Sequence, residues 1–114
     1  MFNMPEREQI TFGQVLAKAR QRAGVNLREL ARAIIKEDGE PISFQYLHDL
    51  ENDRRHAPSD HLINELARVL QVPRNYLYYY ARRIPAEFVF DVEEQRVDEA
   101  YRTMYNKLKS HSAH

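Results

Sequence analysis

Between Thr11 and Ala81 the chain repeats one pattern five times: a residue able to start a helix, then a short apolar stripe at helical spacing. No other feature constrains the fold as strongly. Phe12, Val15, Leu16, Ala19 and Ala23 recur at three- and four-residue intervals, the repeat that lines one face of an α-helix. Thr11 with Gln14 reads as a capping box, and Gly24 as the C-terminal stop. Asn26 with Glu29 opens a second helix, whose inner face is expected to be Leu27, Leu30, Ala31, Ile34 and Ile35. After the loop "KEDGEP", Ser43 caps a third helix running to about Asn52, with Leu47 and Leu50 inward. Ser59 caps a fourth, with Leu62, Ile63, Leu66, Ala67 and Leu70 as its stripe. Pro73 suits the first turn of a fifth, over about Arg74 to Ala81. Beyond Ile84-Pro85, "AEFVF" reads as either a short helix or an extended connector. Asp91 with Glu94 then reads as a capping box for a longer helix to about Lys109.

Strand-like alternation is scarce, so the expected fold is all-α, five short helices and then a C-terminal helix. Residues 11–83 are expected to form the domain and 84–110 a connector and helix, with 1–10 and 111–114 flexible. The 114 residues include no cysteine, which rules out disulfides and any thiolate chemistry. No apolar run approaches the length of a membrane span. The opening "MFNMPEREQI" has no signal-peptide architecture, so a cytoplasmic location is expected. Seventeen basic side chains balance seventeen acidic ones; a nonspecific nucleic-acid binder would be strongly basic. Any nucleic-acid binding must come from a local patch. His48, His56 and His61 lack metal-ligand spacing, and His111 and His114 lie in the tail. No nucleophile–base pair or phosphate-cradling glycine loop is present. Neither an enzyme nor a metal or cofactor site is expected.

The stretch "ISFQYLHDLENDRRHAPS" carries the functional signal. With Leu47 and Leu50 inward, Gln45, His48, Asp49 and Asn52 fall at i, i+3, i+4 and i+7, one outward stripe. Phe44 lies beside it. Such side chains can donate to or accept from base edges, and Arg54 and Arg55 just beyond can clamp phosphates. A polar outer face is equally the ordinary condition of a helix in water.

The order of the parts resembles the Xre/lambda-repressor (Cro-like) family of small helix-turn-helix regulators. The resemblance rests on "FGQVLAKARQRAG", "NLRELA", "SFQYLHDLEND", "RRHAPS" and "LINELARVLQV", and covers about residues 11–82. "LYYYARRIP" also looks like the "L-A-G-R-I-P" ending of many such regulators. The resemblance implies a five-helix DNA-binding domain, with helix 43–52 in the major groove of double-stranded DNA. By position, Phe44, Gln45, His48 and Asp49 match base-reading residues. Asn52, Arg54 and Arg55 match backbone contacts, and Arg28, Ser43 and Ser59 are further backbone candidates. Family members pair an arginine of the first helix with a glutamate after the third helix's last apolar residue. Here those are Arg20 and Glu51, implied to be a structural ion pair.

Two departures stand out. The turn between the second and third helices is longer than the family's usual three or four residues, and it carries Glu37, Asp38 and Glu40. It either points away from DNA, the favoured reading, or contacts a protein. Asp53 replaces the glycine usual after "LEN"; aspartate tolerates the left-handed conformation better than most residues. Asp49 can accept from a cytosine amino group or repel the backbone. Phe44 can pack on a thymine methyl or serve as an N-terminal packing residue.

In the last third, Val97, Tyr101, Met104 and Leu108 are spaced 4, 3 and 4, an a/d seam. It can fold back on its own domain or join two chains. Tyr78, Tyr79, Phe88 and Phe90 add apolar surface that a small core can hardly absorb. A homodimer with these residues at its interface is expected, matching a palindromic operator, with repression as the expected outcome. The rival expectation is a protein-interaction module or antitoxin-like protein. It would bind a partner through the acidic 36–41 loop and the C-terminal helix.

Overall fold

A computed structural model describes residues 9–112. Among them are six α-helices: α1 (Phe12–Ala23), α2 (Leu27–Ala33), α3 (Phe44–Glu51), α4 (Asp60–Leu70), α5 (Arg74–Ala81) and α6 (Glu94–Ser112). A single 3-10 turn, Ala86–Phe88, lies between the last two. The fold is all-α. The expectation for residues 1–8 and 113–114 falls outside the described residues.

Both capping boxes close. Thr11 accepts from the Gln14 N–H while Gln14 reaches back, and Asn26 and Glu29 do the same. Ser43 and Ser59 each accept a first-turn N–H. Gly24 ends α1 at φ 74 with its N–H on the carbonyls of Arg20 and Gln21, a left-handed geometry that costs a residue without Cβ little.

α1 packs on α3, α4 and α5, α2 on α3, and α4 on α5. Leu16, Leu30, Ile34, Leu47, Leu50, Ile63, Leu66 and Leu77 are fully enclosed at the centre. Burying each such side chain contributes about 1.5–3 kcal/mol. α1 meets the end of α3 closely enough to require Gly13: a Cβ there would lie 2.5 Å from the Glu51 carbonyl oxygen.

Four expectations need correction. α2 stops at Ala33, and Ile34 follows in extended geometry at φ −95, ψ 115. Ile34 is still fully buried, because the turn drives it into the core where another helical turn would have carried it. Ile35 is only half-buried and pairs with Pro41 in an isolated bridge. Asp91 lies three residues before α6, which begins at Glu94. α6 also continues past Lys109 to Ser112; Ser110 stays within it, its hydroxyl donating to the Lys107 carbonyl at 3.0 Å. Tyr78, expected at a dimer interface, is 2% exposed. It is a core residue flanked by the Arg74 and Arg83 guanidinium groups, each 5.9 Å from its ring.

The "AEFVF" segment is a short 3-10 turn and then irregular chain. Its start is pinned: Arg83 bonds Asp60 at 2.8 Å, Arg74 pairs with Glu87, and Pro85 is buried. After that the chain leaves the core, and Phe88 and Phe90 are exposed.

Candidate nucleic-acid interface

α3 is fixed from within. Leu47 and Leu50 anchor its inner face, and Arg20 of α1 reaches across to the Glu51 carboxylate, with Nε to Oε2 at 2.7 Å and a second bond at 3.1 Å. A third Arg20 bond goes to the Val25 carbonyl at 3.0 Å. The fork geometry of arginine suits this double bond to a carboxylate, and it ties α1, the α1–α2 turn and α3 together. The geometry brings these two residues together as the resemblance implied.

Asp53 adds a second lock that its sequence position alone did not disclose. It takes the left-handed conformation at φ 58. Its carboxylate accepts from the Gly13 N–H at 3.0 Å and the Thr11 hydroxyl at 2.6 Å. A negative group thus sits at the N-terminus of α1, where the helix dipole favours it. A glycine at 53 would fit the turn and forfeit this cap.

The outer face of α3 holds two linked groups. Phe44 and His48 stack with ring centroids 6.1 Å apart, and the Arg28 guanidinium lies 4.7 Å over the Phe44 ring. Arg28 therefore borders the start of α3 and packs on it. Gln45 donates its Nε2–H to Asp49 Oδ1 at 2.9 Å. The same carboxylate lies 3.7 Å from Arg54 Nη1 and 3.8 Å from Arg55 Nε. Asp49 is thus mostly enclosed while both arginines are more than half exposed. It differs from the expected open base-reading carboxylate because three neighbouring donors gather on it. Gln45 keeps one N–H and its carbonyl oxygen for outside partners.

Tyr46 is a participant that sequence reasoning missed. It is half-buried, and the Arg55 guanidinium rests 5.3 Å over its ring. Burial pushes its hydroxyl above the ordinary pKa, against Arg55 and together with Glu37. Only the i, i+4 spacing of Gln45 and Asp49 was available as a sequence signal for this cluster.

The remaining expected contacts serve the backbone. Ser43 caps α3, and Asn52 ends it with Nδ2 on the His48 carbonyl at 2.9 Å. Ser59 accepts from Leu62 N–H and donates to Glu37 Oε2 at 3.2 Å. Its one hydroxyl proton is thereby engaged, so it is not a free phosphate donor.

That bond also places the acidic insertion, folded against α4 and the α3–α4 loop. His61 bonds the Ile35 carbonyl at 2.8 Å, and the Ile35 N–H reaches Glu65 at 3.5 Å. Within the loop Lys36 N–H donates to the Glu40 carbonyl at 2.7 Å.

A model of the helix-turn-helix domain family matches residues 11–77, more than half of the chain. No curated protein and no solved structure matches it. The chain belongs to the helix-turn-helix domain family, a class whose characteristic partner is DNA.

Proposed function

From that membership we propose a sequence-specific, double-stranded DNA-binding transcriptional regulator of the Xre/lambda-repressor type. It acts as a repressor and reads a palindromic operator as a homodimer, with α3 in the major groove. The observation carrying this reading is the two-sided design of α3. Its inner side is clamped by Arg20–Glu51, while its outer side presents Gln45 and His48 beside two exposed arginines gathered by Asp49. Rigid support behind a polar face suits base reading, and exposed guanidinium groups just past it suit phosphates.

Gln45, Phe44 and His48 take the base edges. Asp49 acts chiefly by orienting Gln45, Arg54 and Arg55, and Arg28, Ser43 and Asn52 border the backbone. Repression suits a chain whose folded core offers little room for an activator surface. The protein-interaction alternative draws on the exposed α6 stripe, and the two readings are separable by experiment.

The test is selection from a randomised duplex pool by the full chain, at low and near-physiological salt. A palindromic consensus with half-sites about one helical turn apart, and affinity falling steeply with salt, is the expected result. Absence of enrichment at both salts would overturn the DNA reading in favour of a protein partner.

A further inference from the structure

α6 leaves an apolar seam uncovered: Val97, Tyr101, Met104 and Leu108 are 43, 49, 46 and 46% exposed. The seam spans roughly 16 Å of helix. Tyr79 of α5 stands beside it, so that it borders a shallow, open groove. The proposed homodimer supplies an occupant for this groove, and the charges along α6 fix the direction in which it lies.

The acidic groups just before the helix and in its first turns, Asp91 and Glu93 and then Glu94, Asp98 and Glu99, are offset only by Arg96. From Arg102 onward the charged residues are all basic: Arg102, Lys107 and Lys109. Two parallel copies would lay acid on acid and base on base. Two antiparallel copies lay each acidic half on a basic half, and set their helix dipoles in opposition.

The seam itself agrees. With Val97 and Met104 at d, and Tyr101 and Leu108 at a, the register carried back to Glu93, the residue just before α6 whose carbonyl takes the first-turn N–H groups, puts it at g. A parallel pair sets it against Asp98 at e of the partner helix, a repulsion repeated by symmetry. An antiparallel pair matches Val97 with the partner's Leu108 and Tyr101 with the partner's Met104. It brings Glu93 toward the partner's Lys107 twice. Methionine sulfur against an aromatic ring is a favourable contact, whereas parallel pairing would press Tyr101 on its own copy. We infer that α6 pairs with α6 of a second copy in antiparallel orientation, with Val97 opposite Leu108 and Tyr101 opposite Met104.

The inference rests on the homodimer of the preceding reading and not on DNA binding, so it is tested without DNA. The chain has no cysteine, so single cysteines report orientation cleanly. Full-length Val97→Cys and Leu108→Cys chains, one carrying a size tag, are mixed and oxidised mildly, with sedimentation run in parallel. Antiparallel pairing predicts mixed disulfide dimers and loss of both same-variant products. Same-variant dimers, or a statistical mixture, overturn the orientation while leaving a dimer in place. Dimers in sedimentation without any disulfide place the interface elsewhere and also overturn it. Monomers throughout overturn this pairing and the homodimer together; selection from the duplex pool tests base reading independently. Because α6 lies outside the core, folding of these variants is not at stake. As a second measurement, Glu93→Lys should weaken the dimer several-fold, and adding Lys107→Glu in the same chain should restore it. No recovery would overturn the antiparallel register.

Discussion

α4 and α6 are both amphipathic, yet their apolar faces meet opposite fates. On α4, Leu62, Ile63, Leu66, Ala67 and Leu70 are all buried. On α6 every large apolar residue of the seam is exposed. The difference comes from what surrounds them. α4 lies one short turn from α5 and against α1, so covering partners are available locally. α6 follows a connector pinned only as far as Glu87, after which the chain leaves the core. An apolar stripe therefore states that a helix face must be covered, and the connection decides by what.

The sharpest way to break the contrast is Arg20→Ala. It leaves Glu51, 7% exposed, without its partner, and should cost about 3–5 kcal/mol in denaturant unfolding. A loss under about 1 kcal/mol would show that the clamp does not hold α1 to α3. Next comes Leu66→Ala in the covered stripe, which should cost about 2–5 kcal/mol by the same measurement.

Acid should act more locally. The Arg83 hydrogen bond holds the Asp60 carboxyl below its ordinary pKa, overcoming desolvation and aided by the Ala86 N–H. A depressed pKa means its contribution is complete above the ordinary carboxylate range and is lost as pH falls through the lowered value. The Ala86 amide resonance should therefore stay fixed at neutral pH and move only in acid below that range. A midpoint above it would remove Asp60 as the latch. The smallest effect belongs to Met104→Ala in the uncovered seam. At a concentration that keeps chains apart it should change stability by no more than about 0.5 kcal/mol, and a loss like that of Leu66→Ala would mean the seam is covered within one chain.

Much of α1–α5 was legible because capping residues and stripes agreed: Thr11 with Gln14, Asn26 with Glu29, Ser43 and Ser59 all stand where expected. Ile34 was placed in the core correctly but in the wrong conformation, since burial and helicity give the same apolar letter. Tyr78 and Tyr79 could not be told apart as letters; packing against α4 and two arginines separates a core residue from an exposed one. At the candidate interface, the stripe Gln45, His48, Asp49 was readable from spacing. That Asp49 gathers Arg54 and Arg55, and that Asp53 reaches back to Thr11 and Gly13, depends on contacts across 40 residues or on loop geometry, which periodicity does not encode.

The insertion before α3 has a geometric property of its own. The chain departs at Ile34 and returns at Ile42, where Ile42 N–H bonds the Ile34 carbonyl at 3.0 Å. Both residues are buried. To the helices on either side, the two isoleucines act as one node, and everything from Ile35 to Pro41 is a closed detour with almost no net displacement. The distance between α2 and α3 is thereby decoupled from the number of residues joining them. A change in the number of residues at the tip around Gly39 is therefore expected to leave the helix that follows in place, so long as the Ile34–Ile42 bond is kept.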